Sequence, residues 1–103
     1  MPSINPLMDC RKKCFDAFRV AVAEATTQFK DNFTACKDAY AAALIACRTD
    51  PDPDACRERA DDNFTDCARQ SAELLSNQIE NARLQMENCL TMCALQYPRP
   101  SNR

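Results

Sequence analysis

Two long stretches, residues 7–48 and 54–95, carry most of their large apolar residues three, four, seven or eleven positions apart, with Ala dense in the first and no Gly or Pro inside either. Those intervals return a residue to the same side of a helix, and Ala is the best helix former, so both stretches are expected to be helical. Asn5-Pro6 reads as a cap followed by Pro in the first helical position, and Asp9 places a negative charge in the first turn. The only mid-chain stretch with turn character is Thr49-Asp50-Pro51-Asp52-Pro53-Asp54. It ends the first helix, and Asp52 before Pro53 supplies the cap of the second. Tyr97-Pro98-Arg99-Pro100 stops the second helix, because the residue before Pro avoids the helical region. The fold class expected is all-α, one domain over residues 1–103: a helix over about 6–48, a turn at 49–53, a helix over about 53–96 and a loose tail at 97–103. Each helix would be roughly 60 Å long at 1.5 Å per residue.

Eight cysteines indicate how the helices meet. Paired from the outside in, as Cys10 with Cys93, Cys14 with Cys89, Cys36 with Cys67 and Cys47 with Cys56, the residue numbers of every pair add to the same total, 103. Residues at one height on two opposed segments always add to a constant, so an antiparallel hairpin produces this regularity. Its fold point falls between Pro51 and Asp52, inside the turn. Of the roughly one hundred connectivities open to eight cysteines, the hairpin selects these four interhelical disulfides. Cys14, Ala25, Cys36 and Cys47 recur every 11 residues, as do Cys56, Cys67, Gln78 and Cys89. That period implies nearly straight helices or a slight right-handed supercoil, with Ala25 opposite Gln78 as a missing rung. Ala21 opposite Ala82 and Ala43 opposite Ala60 keep the seam narrow enough for disulfides.

Rotating about 98° per residue from the seam, Phe15, Phe18, Val22, Phe29, Phe33, Tyr40 and Leu44 fall on one flank of the first helix. Phe64, Leu75, Ile79, Met86, Leu90 and Tyr97 fall on the same flank of the second. In an antiparallel pair related by a two-fold axis these share one face. The opposite face is small or polar, with Ala17, Gln28, Asn32, Ala39, Arg59, Asn63, Gln70 and Asn81. Two stapled helices form a single layer, and an apolar layer needs a second one against it. The expected cover is a second copy, giving a homodimer or larger homo-oligomer as a four-helix bundle. A partner protein's helix, an apolar ligand and a membrane surface are the other occupants considered. The membrane is disfavoured by the mixed signs of the polar face.

Composition adds the compartment. Eight cysteines in 103 residues is the density of a disulfide scaffold, which persists in oxidising surroundings, so a secreted or otherwise extracytoplasmic protein is expected. The opening Met1-Pro2-Ser3-Ile4-Asn5-Pro6 has no apolar core or small-residue cleavage site and does not read as a signal peptide. No apolar run is long enough for a transmembrane segment. Thirteen basic and fifteen acidic residues, interspersed, give a net charge of −2 and no basic patch for nucleic acid.

The candidate chemistry is sparse. Cys10-x-x-x-Cys14 and Cys89-x-x-x-Cys93 gather four sulfurs at one end of the hairpin, the donor set of a zinc site or, with its soft ligands, of Cu(I). A thiolate metal-binding protein is therefore the alternative to the stapled module. The disulfide reading is preferred and no cofactor or metal is assigned, since the remaining rungs offer two sulfurs each and there is no His. Without His, a cysteine nucleophile lacks its usual base, and no enzyme is expected. Asp50, Asp52 and Asp54 lack the Gly and distal Glu of a calcium loop. Asp31-Asn32-Phe33-Thr34-Ala35-Cys36 recurs as Asp62-Asn63-Phe64-Thr65-Asp66-Cys67, a local two-fold about one rung. It makes Asn32 and Asn63 candidate glycosylation sites.

In architecture, a hairpin stapled by CxxxC pairs resembles the α-hairpinins, plant defence peptides and protease inhibitors, and the twin-cysteine proteins of the mitochondrial intermembrane space. The resemblance implies a secreted inhibitor or toxin-like hairpin in the first case and an intermembrane-space location in the second. The pattern departs from both. Here the CxxxC pairs lie far from the turn, the inner spacing is CX10C, and the tip is acidic apart from Arg48, where an inhibitor loop would present an exposed base. Neither family is assigned. If all eight cysteines are bonded, reduction will raise the intact mass by eight hydrogens; an unreduced chain already carrying free thiols and bound zinc or copper would refute the disulfide reading.

Overall fold

In the computed structural model, which describes residues 5–98, the first helix starts as its cap requires. Asn5 Oδ1 accepts a hydrogen bond from the Met8 amide at 3.1 Å, and the Asn5 carbonyl accepts one from the Asp9 amide at 3.1 Å. The first satisfies a donor that every helix start leaves orphaned. Helix α1 then runs Pro6–Cys47. It winds down through tighter bonds, from the Arg48 amide to the Ile45 carbonyl at 3.1 Å, Thr49 to Ala46 at 3.3 Å and Asp50 to Cys47 at 3.2 Å. Asp50 Oδ1 accepts from the Asp52 amide at 2.9 Å, an aspartate-stabilised turn. Asp52 Oδ1 in turn accepts from the Ala55 amide at 3.2 Å, capping α2, Pro53–Gln96. The reversal is made with no positive φ among the described residues, so the absence of Gly costs it nothing. Of the expected loose tail, residues 99–103 lie outside the described residues, as do residues 1–4.

The two helices form a hairpin with the expected connectivity. Cys10–Cys93, Cys14–Cys89, Cys36–Cys67 and Cys47–Cys56 are disulfides, with Cα–Cα distances of 5.8, 5.7, 5.8 and 5.5 Å. No described cysteine is free. The contacts divide the chain into a terminal unit, Met1–Ala25 with Asn77–Arg103, and a turn unit, Thr26–Ser76. Each contains two of the rungs.

The buried positions are unusual in kind. Among the described residues they are Cys14, Ala25, Cys36 and Cys47 on α1 and Ala60, Ser71, Ala82 and Cys93 on α2. Both series recur every 11 residues, and no Leu, Ile, Val, Met or aromatic side chain joins them. On α1 the buried line coincides with the cysteine seam. On α2 it lies one turn beyond Cys56, Cys67, Gln78 and Cys89, which are only half-buried. This corrects the expectation that the α2 cysteine line is the seam's centre. Helical side chains lean toward their own N-terminus, so the residue one turn after a cysteine leans back to the level of its disulfide. In the turn unit Cys36 Sγ accordingly lies 3.7 Å from Ser71 Oγ. In the terminal unit Cys14 Sγ lies 3.5 Å from Cys93 Sγ, the sulfur of the neighbouring rung. The equivalent places on α1 hold Phe18, Phe29 and Tyr40, too large for such a gap and half-buried. Helix α2 fills it because its residues there are small.

Ser71 is the polar member of the series. Its hydroxyl donates to the Cys67 carbonyl one turn back at 2.9 Å, which satisfies the group within its own helix. Overfilling this line should be costly. Ala60→Leu or Ala82→Leu is expected to destabilise the oxidised protein by about 1–3 kcal/mol, measured by denaturant unfolding, whereas Ser71→Ala should cost no more than about 1 kcal/mol, the net worth of one hydrogen bond.

Candidate interaction face

In the turn unit the flank residues gather into a ring cluster. Phe29 and Phe33, one helical turn apart, stack with centroids 5.8 Å apart and planes at 12°. Phe33 meets Phe64 across the helices at 6.0 Å, tilted by 54°, and Tyr40 meets Phe64 at 5.1 Å. These distances suit the offset and edge-on contacts that aromatic quadrupoles prefer. Phe33 and Phe64 are the matching members of the two Asp-Asn-Phe-Thr repeats, and the rung between those repeats is Cys36–Cys67. Lys37 extends over the Phe33 ring with Nζ 5.4 Å from its centroid, a cation on the negative face of the π system. Leu44 and Leu75 complete the flank, and all six residues are half-buried.

The Tyr40 hydroxyl donates to Asp61 Oδ1. That bond holds the tyrosine pKa above its ordinary value, with partial desolvation and the aspartate's charge acting in the same direction. Tyr40 thus closes the cluster with a polar edge: its ring packs on Phe64 while its hydroxyl is tied to α2.

The terminal unit carries Phe15, Phe18, Val22, Ile79, Met86 and Leu90. All are half-buried except Phe15, which is 41% exposed. Leu7, Arg11, Leu90, Ala94 and Tyr97 line a groove of about 300 Å³ there. A larger groove of about 700 Å³ follows α1 past Met8, Lys12, Phe15 and Arg19. Exposed apolar residues also occur away from the flank. Val20, Leu84 and Leu95 in this unit and Ile45 in the turn unit are 57%, 45%, 71% and 59% exposed. They are rotated away from both seam and flank, and the periodicity did not single them out. Scattered single residues of this kind are ordinary on a protein surface.

Charged residues neutralise one another along each helix. Arg19 pairs with Asp16, Arg57 with Asp54, Arg69 with Asp66 and Glu73, and Arg83 with Glu80 and Glu87. Hydrogen bonding to Arg83 lowers the Glu80 pKa, and the reciprocal bond to Glu80 raises that of Arg83. Such exposed pairs contribute little to stability, but they leave the polar surface mixed in sign. Of the two sequon asparagines, Asn63 is exposed and Asn32 is half-buried.

The sulfurs form a second cluster. Cys14, Cys89 and Cys93 bring their Sγ atoms within 4.8 Å of one another, and Cys10 is bonded to Cys93. No helix among the described residues is long and apolar enough to cross a membrane. No protein-family profile, curated protein or solved structure matches the chain.

Because folding raises the Tyr40 pKa above 10.0, the contribution of its bond to Asp61 is fully present below that pH and is lost as pH rises through the raised value. Asp61→Asn in a Tyr97→Phe background is expected to lower the pH at which Tyr40 ionises, read by phenolate absorbance. An unchanged titration would show that Asp61 does not hold the hydroxyl.

Proposed function

We propose that this chain is a non-catalytic, extracytoplasmic interaction module that self-associates through its aromatic flank into a four-helix bundle. One observation carries the reading: every buried side chain among the described residues is Cys, Ala or Ser, while the large apolar residues of both units remain half-buried or exposed. Completing the burial of a Phe or Leu is worth a sizeable part of the roughly 1.5–3 kcal/mol that full burial gives. A second layer gains that on every flank residue at once.

A second copy is favoured as the occupant because the flank's centre is itself near-symmetric. Phe33 and Phe64 come from equivalent repeats on the two helices, on either side of one rung. A two-fold dimer requires a patch complementary to itself, and a patch with internal pseudo-symmetry meets that condition readily. The intrahelical ion pairs leave the surrounding polar surface with no dominant charge to oppose association. Four disulfides support an oxidising location.

Light scattering at micromolar concentration is expected to give twice the chain mass. Phe29→Glu with Phe33→Glu should yield a monomer with unchanged helicity and all four disulfides intact. A monodisperse wild-type monomer that binds no hydrophobic dye would overturn the reading.

A further inference from the structure

The terminal unit gathers more sulfur at one level than a single interhelical staple requires. Cys10 and Cys14 lie one turn apart on α1, Cys89 and Cys93 one turn apart on α2, and the two disulfides between them are in contact. Cys14 and Cys93, each 1% exposed, belong to different disulfides, yet their Sγ atoms are 3.5 Å apart. Tetrahedral zinc binds thiolate at about 2.3 Å, which places its four sulfurs about 3.8 Å from one another. The spacing between the rungs is already that of such a site. Cys14, Cys89 and Cys93, all within 4.8 Å of one another, need only small movements to reach it.

We propose that reduction of Cys10–Cys93 and Cys14–Cys89 converts this end of the hairpin into a tetrathiolate zinc site, with Cys10, Cys14, Cys89 and Cys93 as its ligands. A dithiol is the reductant. Each protein disulfide takes two electrons and two protons from one dithiol, so two dithiols close to cyclic disulfides and four protein thiols result. Zinc then displaces four protons as the thiolates bind. The sulfurs within each former disulfide separate from bonding distance to the spacing of a shared ligand sphere. The spacing between Cys14 and Cys93 barely changes. Burial of these two residues and the lack of competing nitrogen ligands in a chain without His favour four-sulfur coordination.

Cys36–Cys67 and Cys47–Cys56 cannot do the same. The neighbour of the first rung is Ser71, whose Oγ lies 3.7 Å from Cys36 Sγ where the terminal unit has a second cysteine sulfur. Ala60 holds the corresponding place after Cys56. The proposal concerns the reduced chain and a different set of residues from the aromatic flank, so it stands or falls separately from self-association.

The test reduces the full chain with dithiothreitol, removes the reductant by anaerobic desalting and titrates with Co(II), whose visible spectrum reports tetrahedral thiolate coordination. The expected result is one equivalent of cobalt with intense tetrahedral bands, displaced by one equivalent of zinc, and no such bands from the oxidised chain. Two double variants that each retain six cysteines locate the site. C14S with C93S should abolish the tetrahedral bands, and C36S with C67S should leave their stoichiometry unchanged. A reduced wild-type chain without tetrahedral bands, or the same outcome in both variants, would overturn the proposal.

Discussion

Facing Cα atoms held 5.5 to 5.8 Å apart by sulfur decide what else can stand between these helices. Side chains beside a disulfide must be no larger than the gap it sets, which is why the buried line is Cys, Ala and Ser throughout. The same constraint removes the usual source of stability, since small side chains bury little apolar area. What replaces it is the restriction of the unfolded chain. In the chain-entropy account a long loop such as the 75-residue separation of Cys14 and Cys89 is worth about 4–5 kcal/mol, and each nested bond then closes a smaller ring for less.

The apolar residues displaced from the seam lie beside it. On α1 the places one turn beyond the buried line hold Phe18, Phe29 and Tyr40, and on α2 they hold Phe64, Leu75, Met86 and Tyr97. Both helices thus supply the bulky flank, and each contributes four of the described residues to the narrow floor. In the turn unit the rings of Phe29, Phe33, Phe64 and Tyr40 are organised by one another and by Asp61, not by a surrounding core. A cluster supported in this way leaves each of its rings half-buried.

Much of this was legible in the sequence because hairpins leave arithmetic traces. The constant sum of the cysteine numbers depends only on opposed directions and equal rise, so it gave the connectivity without any packing detail. The caps at Asn5 and Asp52 were legible for a similar reason: side-chain chemistry and a following Pro act within four residues. The burial centre of α2 was not. Seeing it requires the tilt of side chains along the helix axis and the size difference between Phe29 and Ser71, and a strict two-fold picture treats those positions alike. A lone Ser in a helix gives no periodic signal, and only the bond from Ser71 to the Cys67 carbonyl makes it compatible with burial. The exposed Leu84 and Leu95 lie off the stripe that the period defines, so periodicity carries no sign of them.

The disulfide Cys47–Cys56 joins the helices immediately on either side of the turn, at a sequence separation of nine. The peptide between them is therefore bridged by a second covalent path. A protease that cut between Thr49 and Asp54 would release no fragment and separate no helix. It would add one water molecule and turn a single polypeptide into two chains tied by four bonds. In covalent topology the turn is a dispensable connection once oxidation is complete, and the same hairpin is equally well described as a heterodimer that happens to be synthesised in one piece.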